Sequence, residues 1–274
     1  MNWEPARADH SIERATASIA LATPLDANTF DELIVAGRKA AAAHSLTNRL
    51  DLLEAITIQQ PAAQQPAAGG IDLSQIASTL PRVPPRRVVF RRLDAENVSV
   101  DELSIGMQQI AVGTIRYRRW ADFNSLLSAS LTALQQIHPI IENVKSVRLE
   151  YVDRFQSVPG GGDHFEVIQR DSVFLAPILR DKSAALHVHS GWFDFESANV
   201  RQLTNINIDV NDVPIPPPSD PRRHISILSM GQFEALTGTL DRPMERLDEL
   251  HNYLKLTFGR IITLDAAQRV GLNN

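Results

Sequence analysis

The stretch 146–156, SVRLEYVDRFQ, decides how the whole chain reads. Side chains of a strand alternate between its faces, so Val147, Leu149, Tyr151, Asp153 and Phe155 share one side. Arg148, Glu150, Val152, Arg154 and Gln156 share the other. The first side is apolar except for Asp153. A carboxylate among buried neighbours is costly unless it is paired or hydrogen-bonded. Asp153 is therefore expected to be tied to the backbone N–H groups of a turn or to a nearby Arg, or else to line a pocket.

Working outward, residues 12–23 read as a strand with Ala15, Ala17, Ile19 and Leu21 on one face, stopped by Pro24. Thr29 and Glu32 have the spacing of a capping box. Phe30, Leu33, Ile34, Gly37 and Ala41 then form one helical stripe, and Leu50, Leu52, Ile56 and Ile58 alternate as a second strand. Residues 59–70, QQPAAQQPAAGG, hold nothing large enough to bury and read as a flexible surface loop, with a short helical piece near 71–80. The run 86–93, RRVVFRRL, follows several prolines and reads as an edge strand. Leu103, Ile105 and Met107 alternate in the next strand. The parity changes at Gln108 and Gln109, which requires a bulge or a tight turn before Ile110 and Val112.

RYRRW at 116–120 opens a second helix, whose stripe is Trp120, Phe123, Leu127, Leu131, Leu134 and Ile137, ending at Pro139. After the central strand comes the break PGGG at 159–162. The segment 165–179 reads as a short strand mixed with a turn at Pro177. Residues 184–195, 203–210 and 224–230 follow as three strands, the last two separated by VPIPPPSDP at 213–221. The final long helix is expected to start at Asp241 as N-cap with Pro243 in its first turn, and to bury Leu247, Leu250, Leu254, Phe258 and Ile261. Thr263 caps a last short turn ending at Gly271.

This order lacks the steady β-α alternation of a parallel sheet. The predicted fold is a single α+β domain over residues 1–274, a mostly antiparallel sheet packed by about three amphipathic helices. Residues 12–58 and 102–156 both read strand–helix–strand, a pattern-level sign of internal duplication.

With 274 residues, 43% of them hydrophobic, the chain is long enough for a sizeable core. It contains no cysteine, which removes disulfides, Cys-based zinc sites and thiol nucleophiles. No apolar run approaches the roughly 18 residues of a membrane helix, and the start MNWEPARADH is not a signal peptide, so the expected location is the cytoplasm, with no membrane partner. A net charge of −5 argues against nucleic acid as the default partner.

Three segments carry a family resemblance. Tyr117 and Trp120 at the head of a helix, LEYVDRF at 149–155 and LHNYLKLTFGRIIT at 250–263 resemble, in order and spacing, a sporadically distributed bacterial family of conserved hypothetical proteins. The likeness spans nearly the whole chain. Family members tend to carry Arg and Asn where this chain has Glu150 and Asp153. The resemblance implies no assigned activity, and the family's scattered occurrence implies an accessory or defence role.

Candidate chemistry is sparse. His187 and His189 lie two apart in a strand and face the same way, a start for a metal pair, but zinc needs three or four ligands. The nearest by sequence are Asp163, His164 and His224. Residues 158–165, VPGGGDHF, lack the Lys and Ser or Thr of a phosphate loop, and no G-x-S-x-G supplies a hydrolase nucleophile. Arg82, Arg86, Arg87, Arg91, Arg92, Arg116, Arg118 and Arg119 form the one concentrated basic region, read here as a solvated edge. Tyr117, Trp120, Tyr151, Asp153, Arg154 and His251, with Tyr253 beside them, are expected to converge as a pocket of apolar walls and a few polar groups. No catalytic residue, metal or cofactor is implied. The leading expectation is a non-enzymatic binding or interaction protein with a protein or small-molecule partner. The alternatives are a metal-dependent hydrolase using His187 and His189, and nucleic-acid binding through the region 82–119.

Overall fold

The computed structural model describes residues 2–8, 10–53, 86–159, 162–181, 185–213 and 222–272. The expected loop at 59–70, the helical piece at 71–80, Ile56, Ile58, Arg82, most of the glycine break and all but the first residue of the proline-rich turn lie outside the described residues.

The apolar alternation of the opening stretch places it in the middle of the sheet. This strand, β7 (Val144–Ser157), pairs along one side with β10 (Arg222–Ala235), which pairs in turn with β9 (Val200–Val213) and then β8 (Leu186–Phe195). Along its other side β7 meets two strands end to end, β1 (Trp3–Pro5) and β2 (Ile12–Leu21). The sheet then runs through β6 (Gln109–Thr114), β5 (Ser99–Gly106) and β4 (Arg86–Leu93) to β3 (Asn48–Leu53). Every neighbouring pair among these ten strands is antiparallel. The protein is therefore an α+β fold built on a large antiparallel sheet.

Four helices accompany the sheet among the described residues: α1 (Ala27–Ala43), α2 (Trp120–Gln135), α3 (Pro243–Gly259) and the short α4 (Leu264–Arg269). Val147, Leu149 and Tyr151 belong to the core built with α1, α2 and α3, and Phe155 to the core that contains Phe258, Ile261 and Ala266. Since these four residues alternate along β7, both cores occupy the same face. The opposite face is polar: Glu150 takes hydrogen bonds from Arg14 (3.3 Å) and Arg148 (2.5 Å), and Arg154 pairs with Glu13 at 2.9 Å. Close approach of α1 to the sheet depends on Gly37, where a Cβ would stand 2.3 Å from Ile105 Cδ1. No described helix is long and apolar enough to cross a membrane.

Several local expectations need correction. The run 86–93 is not an edge strand, because β3 pairs with its outer side and is the outermost strand there among the described residues. Leu50 and Leu52 on that edge are exposed. Helix α1 starts before Thr29: Asp26 is its N-cap, accepting hydrogen bonds from the amides of Asn28 and Thr29 and from the Thr29 hydroxyl. One carboxylate thus satisfies two orphan donors of the first turn, Asn28 N and Thr29 N, and the Thr29 hydroxyl besides. Helix α3 is preceded by Arg242 at φ +50°, so Asp241 is not its cap. Pro243 at the first position denies the residue before it the right-handed helical region.

Helix α2 begins at Trp120, four residues after Arg116, which leaves 116–119 as a non-helical approach. Residues 165–179 form no strand. They hold two single 3₁₀ turns, His164–Glu166 and Pro177–Leu179, and one isolated bridge from Ile168 to Ile262. The parity change at 108–109 is a tight turn, closed by Ile105 opposite Ile110. The two strand–helix–strand units differ in reach: the α1 crossover passes over three strands and the α2 crossover over one.

Candidate functional site

The double pairing along β7 builds the site. Between the end of β1 and the start of β2, Ala6 N donates to Arg154 O (2.9 Å) and Arg154 N donates to Ser11 O (2.8 Å). These bonds bring Ser11 beside Asp153. On β10 the inward row reads Ile225, Ile227, Ser229, Gly231 and Phe233, with Ser229 opposite Tyr151. A small residue where a large one would fill the layer leaves space under α3. The space is a cleft of about 520 Å³, with Asp153, Tyr151 and Ser229 on its floor, Trp120 and Tyr117 on one wall and His251, Leu254 and Phe258 on another.

Asp153 is 3% exposed, and its carboxylate accepts a hydrogen bond from Ser11 Oγ at 2.6 Å. Burial pushes the carboxyl up to about 7, against the lowering effect of the Ser11 hydroxyl. Its partner is thus a hydroxyl, in place of the expected Arg or turn backbone. Ser229 Oγ, on a residue 1% exposed, has no hydrogen-bond partner among the described residues.

Along the wall, Tyr151 Oη lies 3.0 Å from His251 Nδ1, and the Tyr117 ring meets the Tyr151 ring edge-on at 5.5 Å. Burial pushes the Tyr117 phenol up to about 12 and that of Tyr151 well above its usual value. Burial, reinforced by the charge of Lys255, lowers His251 to about 4, so its imidazole is neutral at neutral pH. That ring stacks on Trp120 with centroids 4.6 Å apart, and Trp120 Nε1 donates to Asp248 Oδ1 at 2.7 Å. The stack is held from both ends.

Five of the six residues expected to converge, Tyr117, Trp120, Tyr151, Asp153 and His251, line this one cleft. Arg154 does not: strand parity turns it to the opposite face and to Glu13. Tyr253 packs partly buried against the main core. No family model matches the sequence. Nor does any curated protein.

The other candidate groups are dispersed. His187 and His189 are exposed on β8, and His187 Nδ1 lies 2.5 Å from Asp209 Oδ1. No group of three or more His, Cys, Asp or Glu side chains is placed to hold a metal ion among the described residues. Most of the basic region is engaged locally: Arg86 with Asp31 (3.0 Å), Arg87 with Ser104 (2.7 Å), Arg91 with Asn48 (3.0 Å), Arg92 with Asp101 and Arg116 with Asp94 (3.8 Å). Arg118 and Arg119 have no side-chain partner among the described residues, and both line the cleft mouth.

Ser11, Ser229, Arg118, Arg119 and Lys255 were not singled out from sequence as one site. Ser229 had a signal, since it interrupts the inward Ile-Ile alternation of β10. Ser11 had none, because its place depends on β1 and β2 sharing one side of β7.

Proposed function

We propose that this chain is a binding protein whose small-molecule ligand occupies the cleft between α2, α3 and the inner face of β7 and β10. The observation that carries this reading is the pair of buried polar groups on an apolar-walled floor, the Ser229 hydroxyl without a partner among the described residues and the Asp153 carboxyl. Buried polar atoms are nearly always satisfied, and an exception facing a cleft is where a ligand or water completes the set. The perturbed groups along the wall support a functional cleft. By the resemblance drawn from the sequence, such a protein would serve a bacterial accessory or defence module.

Ser229→Phe places a ring in the cleft and tests this reading. Ligand-observed NMR of a metabolite library should reveal compounds that bind the wild type and not Ser229→Phe, with the variant's circular dichroism unchanged. A library with no binder, or binders indifferent to the substitution, would overturn the proposal.

A further inference from the structure

The two ends of the cleft differ in charge. On its floor, Asp153 and Ser229 offer hydrogen-bonding groups with no cation paired to the acid. At its mouth stand Arg118, Arg119 and Lys255, with no hydrogen bond or ion pair to any described residue. Chance basicity does not explain this rim, since the chain carries a net charge of −5 and Arg92 and Arg116, which line an adjoining pocket with Tyr117 and Arg118, are paired with carboxylates. Unpaired cations clustered at a concave, apolar-walled opening raise the local concentration of anions and supply charge-assisted hydrogen bonds to them.

Resting on the cleft reading above, we infer that the ligand is an organic anion, a carboxylate or phosphate monoester held at the mouth by Arg118, Arg119 and Lys255. Its apolar body lies along Trp120 and Leu254, and its far end reaches the hydrogen-bonding groups of the floor. A bare inorganic ion would use the rim and leave the walls empty. A cationic ligand would meet three like charges on entry. A polynucleotide needs a track of free cations, and most arginines of this region are already engaged.

The test compares 3-(4-hydroxyphenyl)propionate, 4-hydroxyphenyl phosphate and the uncharged 3-(4-hydroxyphenyl)propionamide, whose phenol serves as the polar far end, by calorimetric titration against the wild type, the double variant Arg118→Gln/Arg119→Gln, and Ser229→Phe. At least one of the two anions should bind about tenfold or more tightly than the amide. The double variant should erase that advantage, bringing anion binding down to that of the amide, and Ser229→Phe should abolish binding of all three. Which anion binds more tightly tells carboxylate from phosphate. Equal binding of acid and amide, both lost in Ser229→Phe, overturns the anion assignment and leaves the cleft as a ligand site. No binding by any probe, or binding that Ser229→Phe does not change, overturns both.

Discussion

Asp153→Asn should make the protein gain stability over the wild type as the pH is raised, by about 3 kcal/mol between about pH 5 and about pH 8. The carboxyl ionises near 3.8 in the unfolded chain and at about 7 in the fold, where burial disfavours its charge. Between those values the folded chain holds one proton more than the unfolded chain. Stability from the protonated buried acid is therefore present on the acid side of this window and is lost as pH rises through about 7. Asparagine keeps the shape and the acceptor for Ser11 and cannot ionise, so the variant escapes this loss. Urea unfolding of both proteins over that pH range measures the difference. Parallel curves would mean that the acid is already solvated or paired. His251 acts in the opposite sense: its lowered value means that stability is lost as pH falls from 6.5 toward about 4. In the wild type the two slopes oppose each other, and removing the acid exposes the histidine's.

Leu254→Ala should cost about 2–5 kcal/mol, in the lower half of that range. Leu254 is 1% exposed in the main core, beside Gly231, where a Cβ would stand 3.6 Å from its Cδ2. Its other flank is the cleft wall, so the void left by truncation joins open space that water can enter. Chemical denaturation measures the loss. A near-neutral result would place α3 elsewhere than over β7 and β10. Because the same truncation widens the cleft, ligands bulkier than those of the wild type should gain access to it.

What could be read in advance was what depends on local periodicity. The β7 alternation, the α1 stripe Phe30, Leu33, Ile34, Gly37 and Ala41, and the α3 stripe Leu247, Leu250, Leu254 and Phe258 are all buried as their spacing requires. Strand order was not legible in the same way. The arginine-rich β4 looks like an edge until β3 pairs with it, and that pairing joins residues about forty positions apart in the chain. The caps, too, depend on context beyond the capping residue's own type. Thr29 and Asp241 have suitable side chains, but Asp26 lies nearer the true start of α1 and Pro243 dictates the backbone before α3. In the candidate site, the aromatic and histidine members were visible because they sit on strongly periodic elements. Arg154 was grouped with them although strand parity already set it on the other face. Ser11 and the pair Arg118 and Arg119, without partners among the described residues, emerge only when Ser11 is tied to Arg154 and the non-helical approach to α2 is folded around β7.

The most direct test of the central claim, that β7 carries an acid to the floor of a cleft dry enough to receive a ligand's polar end, is a carbon-13 NMR titration of the Asp153 carboxyl in the free protein. The structure predicts a midpoint of about 7. A midpoint at the ordinary value near 4 would contradict it, because the acid would then be hydrated or ion-paired and the floor open to water.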